Sequence, residues 1–103
     1  MDVTETVPCL VDPGLSGPGP VLRGKVRDTW HLPGGRSVVV TTDRQSAFDE
    51  PLPPIPHKGR VLNLLSAFWF EQTADICRNH LIDVLDDNTA LVETLRMIPV
   101  EVV

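Results

Sequence analysis

The chain has few cysteines, no excess of positive charge and no long apolar run, and each shortage excludes something. Cys9 and Cys77 are its two cysteines, and they belong to no C-x-x-C unit. Two cysteines so far apart, with no secretory leader, read as free thiols in a reducing compartment. No basic stretch leads into an apolar segment at the start of the chain, so a signal peptide is not expected. The longest apolar runs are a few residues, far short of the roughly 20 that cross a bilayer as a helix. The expectation is a soluble, cytoplasmic protein with no membrane partner. A net charge of −5 argues against a general grip on nucleic acid, which needs a basic surface.

Several chemical signatures are missing as well. His31, His57 and His80 are scattered, and no zinc-ligand spacing appears. The glycine spacing of a Walker A loop is missing. No Ser-His-Asp or Cys-His arrangement marks a nucleophile, and Cys77 reads as packing near a helix end. There are no internal repeats.

What remains is 103 residues, 42% of them apolar, which is one domain at most with a modest core. Residues 1–20 carry Pro8, Pro13, Pro18 and Pro20 with Gly14, Gly17 and Gly19. That density of breakers forbids a long regular element, so a loosely held arm is expected. Residues 21–32 and 37–42 are the best strand candidates, the second almost wholly β-branched. Pro33-Gly34-Gly35 between them predicts an antiparallel hairpin. Pro51, Pro53, Pro54 and Pro56 make residues 50–57 an extended connector rather than a central strand.

Residues 58–77 form the clearest helix. Val61, Leu62, Leu65, Phe68, Trp69 and Ile76 fall on one stripe, with Arg60, Asn63, Ala67, Glu71, Asp75 and Arg78 opposite. The stripe predicts a helix laid on a sheet with Phe68 and Trp69 in the core. Residues 80–85 read as a short strand, Asp86-Asp87-Asn88 as a turn, and residues 96–103 as a strand-like run broken by Pro99. The predicted class is α+β: a mainly antiparallel sheet with one long amphipathic helix.

Three strings could carry chemistry. In a continuous strand, Arg23, Lys25 and Arg27 share one face. Such a row repels itself unless an anion lies over it, and Gly24 would let backbone approach a polyphosphate; an ordinary solvated face is the alternative. Asp43-Arg44-Gln45-Ser46-Ala47-Phe48-Asp49 follows a strand directly, where site residues are common. Asp43 and Asp49 could hold a metal or ammonium group, and Ser46 could donate to a phosphate or carboxylate. A capped turn with an Asp43–Arg44 surface pair explains the string equally well. His57, Lys58 and Gly59 precede the helix, where free N–H groups and a lysine make an anion site, or a plain helix entry.

Taken in order, Gly24-Lys25-Val26-Arg27-Asp28, residues 43–49, Ile55-Pro56-His57-Lys58-Gly59-Arg60-Val61-Leu62-Asn63 and Leu65-Ser66-Ala67-Phe68-Trp69-Phe70 resemble the N-terminal part of SAICAR synthetases. Asn79-His80-Leu81 and residues 97–103 are similar to that family's later segments. The resemblance implies a lobe like the small lobe of protein kinases, with ATP between it and a larger α/β lobe. It implies an ATP- and Mg²⁺-dependent ligase of purine biosynthesis that joins L-aspartate to carboxyaminoimidazole ribonucleotide. Gly24, Lys25 and Arg27 would cover the ATP phosphates, while Asp43, Arg44, Ser46, Asp49, Lys58 and Gly59 would face the nucleotide and aspartate. It assigns no metal ligand here. Residues 1–20 would be an arm and 21–103 the ATP-side lobe. The family's chains continue into further metal- and ribonucleotide-binding segments, so this chain is expected to be a fragment, inactive without a C-terminal lobe. His57 stands where the family usually has Gly or Glu. The competing reading is a non-catalytic β-rich module that binds a nucleotide or a protein.

Overall fold

The computed structural model describes residues 8–15, 17, 19–47 and 50–100. Val21–Arg23 (β1), Arg27–Leu32 (β2), Arg36–Thr41 (β3), Leu81–Asp86 (β6) and Thr89–Glu93 (β7) build a five-stranded sheet in the order β1-β2-β3-β7-β6. Every pairing in it is antiparallel. Gln45–Ala47 (β4) and Glu50–Leu52 (β5) form a separate two-stranded ribbon. Lys58–Gln72 (α1) packs against β3 and β6. The α+β class, the antiparallel sheet and its single helix are as the sequence predicts.

The β2–β3 hairpin turns through Pro33-Gly34-Gly35, with Leu32 paired to Arg36. Gly34 and Gly35 both have positive φ, 88° and 78°, which explains the glycines at this turn. The β-branched run Ser37-Val38-Val39-Val40 becomes the central strand. Val38 and Val40 are buried on one face of the sheet, and Ala90 and Val92 on the other. The first face is covered by the N-terminal arm, which is tied down more firmly than its composition predicts. Leu10, Pro13 and Leu15 lie over Val40, Gly17 sits against the Trp30 ring, and His31 N–H donates to the Pro20 carbonyl at 3.1 Å. Asp12 pairs with Arg23 at 3.5 Å.

Three expectations are corrected. Residues 21–32 are two strands, because the chain reverses through residues 24–26. The run 96–103 forms no strand over 96–100, and 101–103 lie outside the described residues. The strand that completes the sheet is β7, entered from the Asp86-Asp87-Asn88 turn. Two register irregularities interrupt the β6–β7 pairing, between Leu81 and Asp83 and between Val84 and Asp86.

The third correction concerns α1, which ends at Gln72 rather than at residue 77 and turns its other side to the sheet. Gly59 and Asn63 are its buried residues, with Ala67 and Phe70 partly buried. Val61, Leu65, Phe68 and Trp69 are each half or more exposed. Polar bonds set this rotation. Asn63 donates to the Asp86 and Asp87 carbonyls at 3.3 and 3.1 Å. At Gly59 the helix comes so close to β3 that a Cβ would strike the Thr41 and Thr42 carbonyls. A stripe of large side chains could not approach so closely. Phe68 and Trp69 are therefore not core; they meet each other edge-on at 5.2 Å.

His57 precedes α1 with φ 64° and ψ 3°, without a side-chain cap bond. A residue with a Cβ carries a penalty of about 1–2 kcal/mol in this conformation. Part of the relief on His57→Gly is offset by the entropy that glycine adds to the unfolded chain, about 0.4–1 kcal/mol. His57→Gly should therefore raise stability by about 0.5–1 kcal/mol, read from the urea midpoint. Gly59→Ala should lower it by about 1–3 kcal/mol through overpacking.

Candidate functional site

The loop that leaves β3 is densely bonded. Asp43 is 4% exposed. Its Oδ1 accepts the Gly59 N–H at 2.8 Å, and its Oδ2 accepts the Leu10 N–H at 3.0 Å. Its own N–H donates to the Leu10 carbonyl at 2.8 Å, and its carbonyl accepts from Ile55 N–H at 3.0 Å. The carboxylate thus caps the first turn of α1 from a distant loop, satisfying a helix-start N–H that His57 leaves unserved. Asp43 and Gly59 meet, as their shared assignment implies, but they meet each other.

Arg44 does the same for the turn between β1 and β2. Its guanidinium pairs with Asp28 at 2.5 Å, with both side chains mostly buried. It also donates to the carbonyls of Gly24 at 3.0 Å, Lys25 at 3.3 Å and Val11 at 2.7 Å. Thr42, fully buried, donates its hydroxyl to the Val26 carbonyl at 2.5 Å. The carbonyls of Gly24, Lys25 and Val26 are therefore all drawn inward onto residues 42 and 44. A Cβ at Gly24 would lie 2.8 Å from the Arg27 carbonyl, so the turn needs glycine there.

This turn breaks the row of cations. Arg23 pairs in register with Asp28, and Arg27 with Thr41, so Arg23 and Arg27 lie on opposite faces of the sheet. Arg23 reaches the arm's Asp12. The carboxyl of Asp12 is held below its usual range by the Gly14 N–H and then by Arg23. The contribution of that group to stability is present above its ordinary pKa and is lost as pH falls through the lowered one. Lys25 is exposed in the turn, and Arg27 is exposed on the helix side.

On that side the sheet carries a groove in two adjoining parts. One, of about 340 Å³, lies between α1 and the sheet, lined by residues that include Arg27, Thr41, Asn63 and Phe70. The other, of about 370 Å³, opens past the helix beside Leu22, His31, Leu95 and Met97. Arg27, Val39, His80 and Val92 line both. A cation at the foot of an anchored turn, beside an apolar trough, suits a ligand with a phosphate end and a flat apolar end.

Lys58 donates to the Arg44 carbonyl at 3.0 Å. Ser46 is partly buried in β4, opposite Pro51. Asp49 lies outside the described residues. Among the described residues no three His, Cys, Asp or Glu side chains are grouped to hold a metal, and no helix is long and apolar enough to cross a membrane. Sequence reasoning missed Asp28 and Thr42. A buried acid two residues before Trp30, with an arginine just after the next strand, was the available signal for the first.

The model of the SAICAR synthetase family matches residues 20–103. A phosphoribosylaminoimidazole-succinocarboxamide synthase of Legionella pneumophila (strain Lens) is 50% identical over 95 residues, which cover 92% of this chain and 30% of that protein. The SAICAR synthase of Saccharomyces cerevisiae, solved in complex with SAICAR, superimposes with a TM-score of 0.73 at 33% identity, over 82% of this chain and 36% of that one. A type-2 SAICAR synthetase in complex with ADP superimposes with a TM-score of 0.72 at 26% identity, over 78% and 35%. The chain spans about a third of the length of each of these.

Asp43→Ala should destabilise the chain by about 3 kcal/mol, since one buried and one part-buried N–H group lose a charged acceptor. Asp43→Asn, which keeps one acceptor, should cost about half as much. Denaturant unfolding followed by Trp fluorescence measures both. A loss within about 0.5 kcal/mol for either would fit a surface aspartate and contradict the clasp.

Proposed function

The chain belongs to the SAICAR synthetase family, and we propose that it serves as the ATP-side lobe of an enzyme that ligates L-aspartate to carboxyaminoimidazole ribonucleotide. The products would be SAICAR, ADP and phosphate, in de novo purine biosynthesis in the cytoplasm. In this reading residues 21–103 form the lobe and residues 1–20 its arm, and a second lobe completes the site. The observation that carries the reading is the groove beneath the anchored turn, with Arg27 at its head.

The chemistry asks for such a groove. Carboxylate attack on the γ-phosphorus of ATP releases ADP and leaves an acyl phosphate. The aspartate amine then displaces phosphate to form the amide. Anions are brought together in the first step, and fixed cations offset their repulsion. We assign Lys25 and Arg27, with the Gly24 turn, to the ATP phosphates. Asp43, Arg44 and Gly59 act by holding turn and helix in place. We assign Ser46, Asp49 and Lys58 to face the nucleotide and aspartate. Mg²⁺ would neutralise phosphate charge in such a reaction; the residues described here form no ligand set for it, and no step is assigned to it.

Grafting residues 20–103 into the Legionella pneumophila relative, in place of its matching part, tests the reading. The graft should turn over only with all three substrates, whereas the 103-residue chain alone should release no ADP. In the graft, Arg27→Ala should cut kcat/KM for ATP roughly ten- to a hundredfold, the value of one charged hydrogen bond. Its effect on the KM for aspartate should be small. Equal, slight effects on both substrates would return Arg27 to a solvated strand position.

A further inference from the structure

On the nucleotide reading above, the far end of the groove has no role yet. Arg27, Thr29 and His31 alternate along β2 on one face, opposite Thr41, Val39 and Ser37 of β3. His31 lies four residue steps along the strand from Arg27, roughly 13 Å at about 3.3 Å per step. That is comparable with the reach of an extended nucleotide from phosphates to base. His31 Nδ1 lies 2.8 Å from Ser37 Oγ, and Ser37 Oγ lies 2.6 Å from Thr94 Oγ1. Ser37 is 2% exposed. The three side chains line the outer part of the groove together with Leu22, Leu95 and Met97.

A buried serine hydroxyl between an imidazole and an exposed threonine hydroxyl fixes the ring in place and ties its tautomer to the direction of the hydrogen bonds. When Nδ1–H donates to Ser37 and Ser37 donates to Thr94, Nε2 is left as an acceptor; with the chain of bonds reversed, Nε2 carries the proton. We propose that His31 is the residue that reads the base of a bound adenine nucleotide, its Nε2 accepting a hydrogen bond from the 6-amino group. The apolar walls around it take the faces of the base. Ser37 and Thr94 are positioning residues that hold the ring at this end of the groove, and the amino group of the base selects its accepting tautomer. This assignment rests on the nucleotide reading of the groove but goes further, naming the end of the ligand and the atom that meets it.

The test uses the graft described above, which carries residues 20–103 in a complete enzyme, with ATP and purine riboside 5′-triphosphate, which lacks the 6-amino group, as probes. NMR titration registers weak binding and reports on the imidazole nitrogens directly. In the wild type, loss of the amino group should weaken binding roughly five- to tenfold, and ATP should fix the His31 proton on Nδ1. His31→Leu should bind the two triphosphates alike. His31→Gln, which restores an acceptor, should recover part of the preference, and this also guards against a loss of fold in the leucine variant. Arg27→Ala should weaken both triphosphates equally. If the amino group matters as much in His31→Leu as in the wild type, while Arg27→Ala still weakens binding, the base is read elsewhere and the nucleotide reading survives. A His31 proton on Nε2 in the ATP complex would also overturn the assignment. If neither triphosphate binds the graft with His31 and Arg27 in place, the nucleotide reading fails and His31 loses its role with it.

Discussion

The carboxylate of Asp43 is the point on which the rest of the chain hangs. One oxygen takes the first turn of α1 and the other takes the arm at Leu10. The backbone of the same residue binds Leu10 again and Ile55. Hydrogen bonds to a charged acceptor contribute about 1.5–3 kcal/mol each, a large share in a chain whose buried apolar residues are Val38, Val40, Ala90 and Val92 among those described. Arg44, one residue on, repeats the device toward Asp28 and the β1–β2 turn. Three consecutive residues, Thr42 to Arg44, therefore set the positions of arm, turn and helix relative to β3.

The groove inherits its shape from that clasp. Its turn is held from residues 42 and 44, and its helix wall is held from Asp43 and Asn63. Polar bonds, not interdigitated apolar side chains, keep the two walls apart. A closely packed helix would fill the space a ligand needs. Here Gly59 and Asn63 bring the helix start close, while farther along a cavity of about 340 Å³ remains.

The sequence showed where elements lie better than which way they face. The hairpin around Gly34-Gly35 and the start of α1 at Lys58 were legible because turn glycines and a proline run act locally. The identity of the three strings was legible through their order. The rotation of α1 was not. Periodicity assigns the apolar stripe to the sheet, but Asn63 and Gly59 made the tertiary bonds that decide the matter. The cationic row failed for a related reason: a period of two holds only within an unbroken strand, and the bonds that fold residues 24–26 into a turn come from Arg44 and Thr42, far along the chain. Asp43 and Arg44 were singled out as polar residues after a strand, and the structure shows both bonded into the fold. Nothing local could say that their partners are distant groups of the protein itself, the Asp28 carboxylate and backbone N–H and C=O groups.

The irregular pairing of β6 bears on what the sheet can join. β6 is an outer strand, and Ile82 and Leu85 are exposed along it. An even outer strand with apolar side chains is a template on which another chain can polymerise. Two register shifts and the carboxylates of Asp83 and Asp86 spoil that template, since a bulge twists the free row of N–H and C=O groups out of line. The opposite border is β1, only three residues long. Growth into fibrils is thus blocked on one side by geometry and charge, and on the other by brevity.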